Sequence, residues 1–151
     1  MSGRQAARPA LVLSVPSRTE FLALVRDVTR RMALDSGFDG AVAERLALAV
    51  DEAATNVIEH AYAGADDRTV ELRFWDGSGE LRIDVVDDGA AVDPRDIPQV
   101  DLARYASEHR RGGLGMHLMG KIMDSVTFSR AERRNVCCMV KRKPGWREPP
   151  A

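Results

Sequence analysis

Ala49-Val50-Asp51-Glu52-Ala53-Ala54-Thr55-Asn56-Val57-Ile58-Glu59-His60-Ala61-Tyr62 is the stretch on which the reading of this chain turns. Its apolar positions continue a period begun upstream. Val42, Leu46, Val50, Ala53 and Val57 make one stripe, which predicts a helix from about Gly40 to Ala63. Glu52 and Asn56, four residues apart, then share a face with one stacked a turn above the other. A carboxylate there can accept a proton, and a carboxamide oxygen suits a hard cation such as Mg2+. The plain alternative is a solvated helix face. Asn is a mediocre helix interior residue because its side chain competes for the backbone, so its place among alanines asks for a reason.

Outward from that helix the periods change. Upstream, Ala10 to Val15 is a short apolar run of strand type. A helix follows from Pro16-Ser17 to about Leu34, with Phe21, Leu24, Val25, Val28 and Met32 on one face. Asp35-Ser36-Gly37-Phe38-Asp39 breaks it. Downstream, Val70, Leu72 and Phe74 alternate with Glu71, Arg73 and Trp75. After the turn Asp76-Gly77-Ser78-Gly79, Leu81, Ile83 and Val85 alternate in the same way, so the pair reads as a hairpin. Asp88 to Arg111 has no period, and a loop this long inside a domain is usually functional, a lid being the natural assignment. Leu114, Leu118 and Ile122 mark a third helix down to Ser125. Val126 to Ser129 and Asn135 to Lys141 read as two last strands around the turn Ala131-Glu132-Arg133-Arg134.

The resulting order, β-α-α-β-β-loop-α-β-β, predicts an α+β fold. It is a two-layer α/β sandwich in which three helices cover one face of a mixed sheet. The expected organisation is a disordered N-terminus over 1–9, one domain over 10–143 and a flexible tail over 144–151.

The bulk numbers exclude some classes. A formal net charge of -1 gives no electrostatic reason to expect nucleic acid. No run approaches the length of a membrane span and the N-terminus lacks a signal-peptide core, so the chain reads as cytoplasmic. Cys137 and Cys138 are adjacent in a predicted strand and point to opposite faces, which argues against a bond between them.

Two further motifs carry chemistry. Asp87-Asp88-Gly89 ends an apolar run, and a carboxylate at a strand end can accept from an exocyclic amine such as that of adenine. Asp-Gly is also a common turn pair, and taken alone the turn reading wins. Arg111-Gly112-Gly113-Leu114-Gly115 precedes an apolar-periodic helix. Glycines let a backbone approach a ligand closely, and free helix N–H groups favour anions. No Gly-Lys-Ser/Thr follows, so this is not a Walker A loop; the competing reading is a plain loop-to-helix turn. His60 and His109 lack a metal-site spacing partner, and His117 reads as helix surface. Together the three motifs suggest a nucleotide-phosphate site.

Glu52-x-x-x-Asn56, Asp87-x-Gly89 and Gly113-x-Gly115, in that order, resemble the nucleotide-binding boxes of the GHKL (Bergerat-fold) ATPases. Within that superfamily the chain is similar to the small bacterial anti-sigma-factor serine kinases of the RsbW and SpoIIAB type, over roughly Leu11 to Lys143. The resemblance implies ATP and Mg2+ as cofactors, with Glu52 as general base and Asn56 as Mg2+ ligand. It makes Asp87 the holder of the adenine amino group, with Gly89 allowing the base to approach. Gly113, Leu114 and Gly115 would line the phosphates, with Arg111 in reach of the terminal one. It further implies partner switching between a sigma factor or other regulated target and a STAS-type anti-sigma-factor antagonist, phosphorylated on Ser/Thr, by a homodimer. One position departs from the family pattern: Ala91 stands where a second Gly is common. A positive φ there would cost Ala on the order of 1 kcal/mol, so the loop is expected to take a different path.

Two other functions compete. One is a non-catalytic ATP-binding module that docks partners, against which the carboxylate of Glu52 speaks. The other is an ATP-binding domain related to sensor histidine kinases, against which stands the lack of a preceding helix with a phosphoacceptor His.

Overall fold

The computed structural model describes residues 8–91, 111–145 and 147, with the side chains of 111–116 outside that description. Most of the expected disordered N-terminus, most of the lid loop, His109 and most of the tail lie outside the described residues. Five strands, β1 (Leu11–Pro16), β2 (Thr69–Asp76), β3 (Glu80–Asp87), β4 (Ser125–Ala131) and β5 (Arg134–Arg142), form one sheet in the order β1-β2-β3-β5-β4. The helices are α1 (Leu22–Asp35), α2 (Gly40–Asn56) and α3 (Arg111–Ile122).

Alternation along the strands sorts side chains cleanly. Val70, Leu72, Phe74, Leu81, Ile83, Val85, Cys137 and Met139 join Val25, Leu46, Val50 and Met119 of the helices in one buried cluster. The three helices therefore cover one sheet face, as expected. The sheet itself is not mixed, because all four strand pairs are antiparallel. The crossover through α3 does bring β4 back in the direction of β3. The β4–β5 hairpin then inserts β5 between them, so no parallel pair forms.

Helix α2 begins at Asp39, whose side chain accepts a hydrogen bond from the Val42 N–H at 2.8 Å. Its α-helical part stops at Asn56, and Val57–Ala61 continues as a single π-turn. Such turns are frequent at functional sites. Ala63 and Gly64, both at positive φ, then end it. Within α1, Leu24 is 43% exposed rather than core, and the buried residues are Val25, Thr29 and Ala33. Thr29 fits there because its hydroxyl donates to the Val25 carbonyl at 2.8 Å.

Candidate functional site: a strand end against the last turn of a helix

Glu52 and Asn56 sit on the last turns of α2, both half-buried. The neighbouring acid is committed elsewhere: Asp51 accepts from Arg26 of α1 at 3.1 Å and ties the two helices together. The Oδ1 atom of Asn56 is withdrawn from solvent. A withdrawn carboxamide oxygen at a π-turn fits the donor chemistry of a hard cation. Among the described residues no group of three or more His, Cys, Asp or Glu side chains could hold a metal. Mg2+ bound mainly through phosphate and water needs no such cage.

Asp87 is the last residue of β3, 6% exposed, on the helix-covered face. Its Oδ1 accepts twice, from the Gly89 N–H at 2.9 Å and from Asn135 Nδ2 at 2.8 Å. Among the described residues Oδ2 accepts no hydrogen bond. An anionic acceptor with one oxygen anchored and the other available suits an exocyclic amine.

The glycine after it has a specific structural reason. A Cβ at Gly89 would stand 2.4 Å from the Ala61 carbonyl oxygen and 2.7 Å from its carbon. Gly89 is not at positive φ, so steric room rather than backbone freedom requires it. The Ala90 N–H donates to that same Ala61 carbonyl at 3.1 Å. The loop leaving Asp87 is thus locked onto the end of the π-turn that follows Asn56. Ala91 is not at positive φ either, in keeping with the different path expected for a residue other than Gly.

A second network braces the loop from the β2 side. The Asp88 N–H donates to the Tyr62 hydroxyl at 3.2 Å, and Tyr62 donates to the Thr69 carbonyl at 2.5 Å. Arg68 reaches Asp88 Oδ1 at 2.8 Å and lies 4.9 Å from the Tyr62 ring centre. Arg68 first, then Tyr62, holds the Asp88 carboxyl below the usual carboxylate range. Burial pushes the Tyr62 hydroxyl up to about 12.

The third motif enters through its backbone. Helix α3 is described from Arg111, and Gly113, Leu114 and Gly115 lie within it rather than in a loop. The side chains of Arg111 and Leu114 lie outside the described residues. His117, expected on the helix surface, is half-buried with its Nε2 withdrawn from solvent. His60 is exposed.

Asn135 was assigned no role from sequence. It faces Asp87 across the β3–β5 register and is itself buried. The available signal was its alternation with Cys137 and Met139, which puts a polar side chain on the core face of a strand.

A family model described as the histidine kinase-like ATPase domain matches residues 15–141. The chain belongs to this family. Its similar relatives are serine-protein kinases: RsbW of Bacillus pumilus is 35% identical over 121 residues, spanning 76% of this chain and 74% of that protein. RsbW of Bacillus subtilis is 34% identical over 119 residues, with the same coverage of 76% and 74%. RsbW of Listeria monocytogenes serotype 4a is 31% identical over 120 residues, covering 77% of this chain and 76% of its own length. Among solved structures, the SiaB-SiaC complex from Pseudomonas aeruginosa contains a chain with a TM-score of 0.59 at 12% identity. The match covers 93% of this chain and 94% of that one, and the likeness is one of fold.

Proposed function

We infer that this chain is an ATP-dependent serine/threonine-protein kinase that acts as an anti-sigma factor by partner switching. The observation that supports the site reading is the clamp of Gly89 and Ala90, just after Asp87, on Ala61 in the π-turn that continues the helix of Glu52 and Asn56. In the proposed division of labour Asp87 accepts from the adenine amine and the N-terminus of α3 receives the phosphates. Asn56 would hold Mg2+, which when bound neutralises phosphate charge. Glu52 takes the proton of the acceptor hydroxyl as that oxygen bonds to the terminal phosphorus and ADP leaves.

The acceptor is a Ser or Thr of a second protein, proposed to be a STAS-type antagonist, while the retained partner is a sigma factor or another regulated target. A homodimer and a cytoplasmic setting belong to the same proposal and rest on the family resemblance. No described helix is long and apolar enough to cross a membrane.

The test is transfer of labelled phosphate from ATP to the cognate antagonist. Glu52→Gln keeps the side chain's shape but removes the base, and transfer should fall by about 10²–10⁴-fold. ATP affinity should stay nearly constant. Equal transfer by parent and Glu52→Gln clears Glu52 of the role. No transfer by a parent that binds ATP and its partner tightly leaves the non-catalytic module standing instead.

A further inference from the structure

A carboxylate reads an amine well only if its free oxygen is held where the amine arrives. A row of three polar residues, one from each of three adjacent strands, does this for Asp87. Asp87 pairs with Asn135 in the β3–β5 register, and Asn135 pairs with Arg130 in the β4–β5 register. We propose that Asn135 and Arg130 are positioning residues that fix where the free oxygen of Asp87 stands, and so sharpen the preference of that carboxylate for a 6-amino over a 6-oxo base. This rests on the adenine role given to Asp87 above.

The hydrogen-bond inventory of Asn135 is filled on both sides. Its amide nitrogen donates to Asp87 Oδ1 and to the Ala90 carbonyl, each at 2.8 Å. Its Oδ1 accepts from an Arg130 guanidinium nitrogen at 2.8 Å, and that nitrogen also donates to the Gly89 carbonyl at 3.2 Å. A carboxamide can flip, exchanging donor and acceptor ends. Flipping this one would set its oxygen against the Asp87 carboxylate and its N–H groups against the guanidinium. Arg130 therefore decides the orientation of Asn135, and Asn135 decides that of Asp87.

With the Asn135 amide and the Gly89 N–H both on Oδ1, the carboxylate cannot rotate out of this plane without giving up two hydrogen bonds. Oδ2 is left as a fixed acceptor. A 6-amino purine offers it a donor; a 6-oxo purine offers another acceptor, which it repels. Among the described residues both anchors of Oδ1 are neutral N–H donors, and Arg130 acts one residue removed.

The experiment measures ADP and IDP dissociation constants by calorimetry, with melting temperatures alongside. The parent should prefer ADP, and Asp87→Asn should erase that preference. Asn135→Ala should weaken ADP binding roughly tenfold or more and shrink the ADP-to-IDP ratio by a similar factor. Arg130→Ala should move the ratio the same way by less, and Arg130→Lys, which keeps a donor, should recover most of it. Arg130 is exposed, so its variants carry the test even if Asn135→Ala does not fold. A lower melting temperature with the parent's ADP-to-IDP ratio in the Asn135 and Arg130 variants would make the row merely structural and overturn the inference. A parent indifferent to ADP and IDP, or an Asp87→Asn ratio equal to the parent's, would sink the adenine reading itself.

Discussion

Strand β3 carries two buried carboxylates three residues apart, and they differ in nearly everything but burial. Asp84 is 2% exposed on the face the helices leave uncovered, and Asp87 is 6% exposed on the face they cover. Both oxygens of Asp84 are taken by one guanidinium, with Arg82 Nε at 3.0 Å and Nη2 at 2.8 Å. Arg82 in turn lies 4.2 Å from the Trp75 ring centre. This is a closed arrangement, fork against fork, with nothing left to offer a ligand. Among the described residues Asp87 has only one oxygen occupied, and by neutral donors. Burial of an acid is therefore a poor marker of a site. The informative features are a missing direct counter-charge and a spare, oriented acceptor.

Exchanging charge for amide at the two positions should separate these roles, and Asp87→Asn is the larger effect. The new side chain can still present an oxygen to Gly89 and Asn135, so the fold should hold. Its amide nitrogen then faces the adenine amine, donor against donor. ADP affinity should drop roughly a hundredfold, with little change in melting temperature. Asp84→Asn should do the reverse. It leaves Arg82 half-satisfied and costs about 1–3 kcal/mol of stability, less than a fully buried pair because the Arg82 side chain is 41% exposed. Nucleotide affinity should be unchanged. Thermal melts and calorimetry on both variants check this, and a comparable loss of ADP affinity in Asp84→Asn would erase the distinction.

Gly89→Ala sharpens the contrast from the loop side. Its Cβ meets backbone rather than a flexible side-chain end, so either the loop or the π-turn must move. About 1–3 kcal/mol of stability should go, as for other overpacked sites, and ADP binding should weaken with it. A variant as stable as the parent would mean that the Ala61 contact does not hold the loop.

How much of this the sequence discloses depends on the range of the interaction. The stripe of α2, the β2–β3 alternation and the split of Cys137 from Cys138 are local periods, and they reappear in the fold, with Cys137 buried and Cys138 half-buried. Glu52 and Asn56 were legible because their relation is one helical turn. The all-antiparallel sheet was not, since it depends on where the β4–β5 hairpin inserts. Asp87 and Asn135 are 48 residues apart, and Gly89 meets Ala61 through a helix irregularity that no period announces. Propensity speaks to single elements, while these contacts are set by sheet register and docking.

The smallest predicted effect concerns the thiols beside the same strand. Burial pushes Cys137 up to about 12 from 9.0. Burial and then the hydrogen bond to Asp84 push Cys138 up to about 11 from 9.0. In the unfolded chain both would ionise near their ordinary value, whereas the folded chain keeps their protons. Their contribution to stability is thus full below pH about 9 and is lost as the pH rises toward 11 and 12. Denaturant midpoints measured from pH 8 to 11 should fall across that window, and the fall should be shallower in Cys138→Ala. Asp84→Asn removes the carboxylate that helps to raise Cys138, so the Cys138 thiol should react faster with iodoacetamide at pH 9 in that variant. Cys137, on the covered face, should remain slow in both proteins. Asp87→Asn should leave the Cys138 rate at the parent's value; an equal acceleration there would show that the thiol responds to general loosening and not to the carboxylate on its own face.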